Sequence, residues 1–456
     1  MGTLHFTKAL LPGGWANNVR VSIDDSGIIS NIEKEISGAN HGCLLPGMAN
    51  LHSHAHQRAM AGLAERAGNS DDSFWTWRKI MYQFLQAIQP EYLNAIASQL
   101  YVEMLKSGYT RVGEFQYLHH QPNGKQYSNP AEMSLQTMQA AIDTGLGITN
   151  LPVHYQFSGF GEQPLGQQQK RFDNDPELFL SIFRSLQQAS IANDNIVTGI
   201  AAHSLRAVGK DGFKSILASL DPLLNEGKPL PVHIHIAEQT KEVEDCMAWS
   251  GLRPVEYLFE NFDVDKRWCL IHATHMTENE IMAVAQSGAV VGICPATEGN
   301  LGDGVFNAVE YFKANGQFGI GSDSHISVSP TEELRWLEYG QRLIHRSRNV
   351  LSDGYGKSTG RALFHKAVTG GAQACGHNSG AIALGKRADF IVLDTSHPVL
   401  CERDNDELLD SWIFSGNNNT VRDVYVGGKQ VIQDGQHEQQ NEIAERFKST
   451  LKTLRN

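Results

Sequence analysis

Short apolar runs recur through the middle of the chain, each closing on a polar residue and each followed by a stretch with helical spacing. Runs near 45–52 and at Thr110–Phe115, Gly147–His154, Ile196–His203, Pro231–Ala237, Trp268–Ala273, Ala289–Cys294 and Phe318–Asp323 read as eight strands. Between them, Pro90–Lys106 carries Ile96, Leu100 and Met104 on one face, and Thr277–Gln286 has the same periodicity. Strands alternating with helices over about 280 residues predict an α/β fold, a (β/α)8 TIM barrel. An open doubly wound sheet is the rival, but no glycine-rich phosphate loop follows the first strand.

The two ends have a different pattern. Val19–Ile23 and Ile28–Ile32 alternate around the turn Asp24-Asp25-Ser26-Gly27. Gly380–Gly385, Ala388–Asp394, Val421–Val426 and Lys429–Ile432 do the same near the C-terminus. Neither end holds enough strands for a sheet of any size. Together, residues 1–45 and 380–456 are expected to form one small β-sandwich beside a catalytic barrel of residues 46–379. Glu438–Leu454 reads as a terminal helix.

Composition narrows the class. The 456 residues are 41% hydrophobic and 19% charged, values typical of a globular protein. No apolar run reaches the ~18 residues of a membrane helix. Met1-Gly2-Thr3-Leu4-His5-Phe6 lacks the basic and apolar regions of a secretion signal, so a cytoplasmic protein without membrane association is expected. The net charge of −12, without a basic cluster, argues against a nucleic-acid partner. Cys43, Cys246, Cys269, Cys294, Cys375 and Cys401 are scattered, which predicts no disulfide framework.

In such barrels the chemistry projects from the C-terminal ends of the strands. The first predicted strand ends in His52 and His54, two residues apart and therefore on one face. An isolated pair of this kind is more often a pair of surface histidines. Here the fifth strand ends in His235, the sixth in His272 and the eighth in Asp323. His52, His54, His235 and Asp323 make a donor set for a borderline-soft divalent ion that leaves a position for water. Asp323 can take the water proton, and His272 can stabilise the developing adduct. Glu238, three residues past His235, can carry a proton to a leaving nitrogen. His233 is expected to be structural and His56 to be a bystander.

With these residues in place, the chain resembles the amidohydrolase superfamily over almost its whole length. The matching motifs are His52-Ser53-His54, His235, His272, Asp323 and the C-terminal Gly380-x-Ile382-x-x-Gly385-x-x-Ala388-Asp389-Phe390. The fourth strand end offers His203 but no lysine, so a binuclear centre bridged by a carbamylated lysine is not expected. The resemblance implies one Zn2+ per chain, with Fe2+ as the alternative ion, and a homodimer. His235-x-x-Glu238 is the pattern of the single-metal branch, which attacks C=N carbons and releases ammonia.

Within that branch the chain is similar to the N-formimino-L-glutamate iminohydrolase family of histidine degradation. The similarity rests on Gln57-Arg58-Ala59-Met60-Ala61-Gly62-Leu63, His203-Ser204-Leu205-Arg206, His235-Ile236-Ala237-Glu238-Gln239 and Gly321-Ser322-Asp323-Ser324-His325. It implies that Gln57, Arg78, Tyr117, His203 and Arg206 line the pocket of a small anionic substrate derived from an amino acid. Two carboxylates call for forked arginine donors. Arg206 follows the fourth strand, and Arg78 is expected in a lid-like loop beside Trp75 and Trp77. The alternatives are a deaminase of a heterocycle such as guanine or cytosine, a two-metal amide hydrolase, or a non-catalytic barrel.

Overall fold

The computed structural model describes residues 2–38, 41–65, 74–191, 193–225, 230–417 and 419–455. A parallel sheet runs in sequence order through Met48–Ser53, Tyr109–Gln116, Gly147–His154, Ile200–Ser204, Val232–Ile236, Trp268–His272, Val290–Ile293 and Gln317–Ile320. Most of these strands are buried along their whole length, as expected of a parallel sheet covered by helices. The fourth predicted strand is broken into Ile196–Thr198 and Ile200–Ser204. Gly199 lies at the break, where a Cβ would come within 2.8 Å of both Pro231 O and a Leu151 methyl.

The eighth strand returns beside the first. Asp323 N donates to His52 O at 3.1 Å, and His54 N donates to Asp323 O at 3.3 Å. The ring is thus closed at its C-terminal rim by backbone bonds between the segments that carry three of the expected metal ligands. Helices pack outside. Pro90–Ser107 starts on proline and stops at Gly108, whose φ of 107° is strained for other residues. Thr359–Ala374 presses against the eighth strand through Gly370, where a Cβ would fall 1.9 Å from Phe318 O.

The termini build a separate seven-stranded mixed sheet. Its order is Lys429–Ile432, Val421–Val426, Phe390–Leu393, His41–Pro46, Gly2–Leu11, Gly14–Ile23 and Ile29–Glu33. The sheet curls until the turn at Gly27 meets Gly427 and Arg387, enclosing Phe6, Val21, Ile29, Leu44, Phe390 and Tyr425 in a core of its own. The alternating run Gly380–Gly385 is not a strand. Gly380 and Gly385 have φ of 82° and 76°, and the segment turns so that Gly385 N reaches Ile29 O. The terminal helix spans Gln440–Leu454. Among the described residues, no helix is long and apolar enough to cross a membrane.

Candidate active site

His52, His54, His235 and Asp323 converge at the C-terminal rim of the barrel, all buried, with their donor atoms within 4.8 Å of one another. Asp323 Oδ1 stands 3.3 Å from both His52 Nε2 and His54 Nε2, and His235 Nε2 stands 3.0 Å from His52 Nε2. A tetrahedral ion with bonds near 2.0–2.1 Å holds its ligand atoms about 3.3 Å apart, so the spacing fits. The tautomers fit as well. His54 Nδ1 lies 3.0 Å from Phe115 O and His235 Nδ1 lies 2.8 Å from His203 O. Each Nδ1–H is thereby committed to a carbonyl, which leaves the Nε2 lone pair facing the cluster. Burial pushes the pKa of all three rings down, so they are in the neutral, ligating form. The chain offers a divalent-cation site.

A ring of hydrogen bonds behind the ligands fixes their positions. Glu114, fully buried in the second barrel strand, accepts from Ser53 Oγ at 2.6 Å, Ala55 N at 2.8 Å and Tyr101 OH at 3.0 Å. His325 meets Ser53 Oγ at 3.1 Å and Ser322 Oγ at 2.9 Å, and its Nε2 accepts from His54 N at 3.2 Å. Asp323 and His272 have φ of 45° and 68°, a left-handed backbone that non-glycine residues seldom adopt. Such strain collects where a site has to aim a side chain.

His272 sits between two carboxyls. Its Nδ1 is 3.3 Å from Glu298 Oε1 and its Nε2 is 3.7 Å from Glu238 Oε1. Burial opposes its charge, but Glu238, the Glu298 hydrogen bond and Asp323 outweigh it and lift the pKa to about 10. Glu238 is pushed up to about 7, by burial first and then by the charge of Asp323, against the pull of His272.

The ligand cluster opens into a cavity at the barrel rim. Arg78, Tyr82, Tyr155, Arg206 and Leu301 share its walls with Gln57, Tyr117, His203, Glu238 and His272. Every residue expected from the sequence to bind substrate therefore faces the same space as the metal ligands. Arg78 lies on the helix Phe74–Leu85, not in a loop, and its Nε donates to Tyr82 OH at 2.6 Å. The side chain of Trp75 lies outside the described residues. His233 is structural, as expected, with Nε2 2.8 Å from Ala374 O.

His56 stands apart from the four ligands but is no bystander. It is fully buried, with Nε2 2.9 Å from Tyr117 OH, and Gln57 Nε2 donates to the same hydroxyl at 3.2 Å. The pair orients Tyr117 towards the cavity. Sequence reading also missed Tyr82, Tyr155, Glu114, Glu298 and His325. Tyr155 follows the third strand directly, so the strand-end rule could have found it. Glu114 and Glu298 act through partners far away in sequence and left no local signal.

Comparison with known proteins agrees with this geometry. Residues 43–431 match the amidohydrolase family, and residues 1–40 match the N-terminal domain of formimidoylglutamate deiminase HutF. The chain is 49% identical to a formimidoylglutamate deiminase of Pseudomonas aeruginosa, over 100% of both chains. It superposes on the structure of an amidohydrolase from Brucella melitensis with a TM-score of 0.94 and 47% identity, covering 100% of both. An adenosine deaminase from Xanthomonas campestris, solved with bound zinc, shares the fold at a TM-score of 0.81 and 20% identity, over 99% of this chain and 98% of that one.

Proposed function

Since the chain belongs to the amidohydrolase family, we propose that it hydrolyses N-formimino-L-glutamate to N-formyl-L-glutamate and ammonia. The observation that carries this reading is the shared cavity: Arg78 and Arg206 line the same space as Asp323, Glu238 and His272. The substrate has two carboxylates and a cationic formamidine. Arginine forks suit the first, and the carboxylate-rich rim around His272 suits the second. A flat heterocycle would not use two arginines.

One zinc ion on His52, His54, His235 and Asp323 is the cofactor in this proposal, and when bound it lowers the pKa of water towards ~7. Asp323 accepts the proton of the attacking water. Arg78 and Arg206 hold the carboxylates, so the formimino carbon is presented to the ligand end of the cavity. His272, held positively charged between Glu238 and Glu298, donates to the adduct and stabilises the charge that develops there. Glu238, with its pKa near 7, carries the proton to the nitrogen that leaves. Gln57 and Tyr117, which line the same cavity, orient the substrate.

The test is ammonia release by the purified, zinc-loaded chain from N-formimino-L-glutamate, beside guanine and cytosine. Release from the first alone supports the reading, and no release from it refutes it. Metal analysis checks the cofactor: one ion per chain is expected, and two would favour an amide hydrolase. The proposal includes a homodimer in the cytoplasm, and a monomer in sedimentation would remove the dimer.

A further inference from the structure

Beside Glu238 lies a second buried carboxyl that the mechanism above does not use. Gln239 donates from its side-chain amide to Asp303 Oδ1. The segment after the sixth strand packs on the segment after the fifth, with Ala273 N on Ile236 O and His275 N on Ala237 O, both at 3.0 Å. His275 Nε2 then lies 2.9 Å from Asp303 O. A Cβ at Gly304 would come within 3.3 Å of the Thr274 methyl. Glu238, Gln239, Thr274 and Asp303 thus belong to one cluster at the barrel rim. Asp303 and Thr274 are each only 6% exposed, yet Asp303 Oδ2 and Thr274 Oγ1 have no hydrogen-bond partner among the described residues.

A buried carboxylate oxygen without a donor and a buried hydroxyl without a partner are costly unless something bonds to them. The charge of Glu238 adds to the cost: burial first, then Glu238, push Asp303 up to about 8, while its bond from Gln239 and the nearby His272 pull the other way. A small cation carrying several N–H groups would relieve both problems together.

The reaction makes such a cation. The substrate enters as a formamidinium, R–NH–CH=NH2+. Water adds to its carbon, and the bond from carbon to the terminal nitrogen breaks with the electron pair going to nitrogen. Both protons of the water finish on that nitrogen, giving R–NH–CHO and NH4+, so atoms and charge balance. We propose that Asp303 and Thr274 form the site that receives the leaving nitrogen as ammonium, next to Glu238, which protonates it. The site makes Asp303 a product-binding residue and gives ammonium a place of its own, distinct from the arginines that hold the carboxylates.

This inference rests on the deimination reading. Its test uses the zinc-loaded full chain, ammonium chloride as probe, tetramethylammonium chloride at equal ionic strength as control, and N-formyl-L-glutamate formation as readout. Ammonium, but not tetramethylammonium, is expected to lower the limiting rate of the wild type. Asp303→Asn should need roughly tenfold more ammonium for the same inhibition, the effect of losing one charge-assisted hydrogen bond, and should lower kcat more than it changes KM. Thr274→Val, which keeps every charge, should shift ammonium inhibition the same way by less. Equal inhibition of wild type and both variants, or none in the wild type, overturns the site. A wild type that forms no N-formyl-L-glutamate fails the deimination reading instead.

Discussion

Glu114→Gln changes one atom of a fully buried side chain and should loosen the grip on the metal. The Glu114 carboxyl accepts three hydrogen bonds: Ser53 Oγ and Tyr101 OH on Oε2, and Ala55 N on Oε1. A glutamine has one acceptor oxygen, and its NH2 must face one of these two sets of donors. The Ser53 hydroxyl can turn to His325 Nε2, 3.1 Å away, but the backbone N–H of Ala55 cannot turn. The favoured flip therefore keeps the amide oxygen on Ala55 N–H and turns the NH2 towards Ser53 and Tyr101, where the buried Tyr101 hydroxyl loses its acceptor, at about 1–3 kcal/mol for one buried donor without a partner. Ser53 lies between His52 and His54, so the segment relieves the crowding around the new NH2 by moving a ligand. If all of that cost falls on the bound state, metal affinity drops by roughly 5- to 150-fold. Titration with a competing chelator reads the affinity, and thermal unfolding of metal-free and loaded protein shows where the cost falls. Zinc affinity within twofold of wild type, with both unfolding midpoints unchanged, would refute the argument that Glu114 holds the ligand segment in place.

Other expectations follow from single contacts. Arg206→Met should lower kcat/KM for N-formimino-L-glutamate by about 10- to 100-fold, as expected for losing charge-assisted bonds to one carboxylate; steady-state kinetics within threefold of wild type would remove Arg206 from the substrate site. Gly370→Ala puts a methyl 1.9 Å from Phe318 O and should cost about 1–3 kcal/mol or more in denaturant unfolding, with an unchanged midpoint counting against this tight packing. His154, buried with Nδ1 2.9 Å from Asn174 Oδ1, is pushed down to about 4 mainly by burial. Its folded pKa lies below the ~6.5 of the unfolded chain, so the native state has its full stability above pH ~6.5. That stability drains away as the pH falls from there towards 4, by up to about 3 kcal/mol. His154→Gln should move acid unfolding to lower pH, and an unmoved midpoint would show that this histidine does not set it.

The barrel and its metal ligands were legible because one rule links them. Apolar runs reveal the strands, and polar residues at the ends of parallel strands lie at one rim, so His52, His54, His235 and Asp323 could be brought together without coordinates. Departures arose where local pattern and conformation part. Gly380–Gly385 alternates like a strand, but its terminal glycines take left-handed turns. The strand before His203 reads as continuous, but the chain breaks at Gly199 against Pro231. Arg78 sits in a stretch rich in Trp and Phe that reads as a lid-like loop but forms a helix. The partners that orient the site were harder to see. Glu114 lies mid-strand, Glu298 lies inside a helix, and His56 matters only because Tyr117, on another strand, comes to meet it.

The seam between the first and eighth strands has a consequence for how the protein is made and lost. The backbone bonds at its rim join His52 and His54 to Asp323, so the last parallel neighbours to meet along the chain carry three of the four residues that could hold the ion. A nascent chain cannot complete its metal site before the eighth strand has emerged and docked, because Asp323 is absent until then. Bringing together such distant segments is a slow, entropically costly step. Once the ion is bound it favours only the sealed ring, since opening the seam separates its ligands. The metal then acts as a clasp on the finished barrel. Amide hydrogen exchange at His54 and Asp323 should be much slower in loaded protein than in stripped protein, and starving cells of metal should shorten the protein's lifetime as well as its activity.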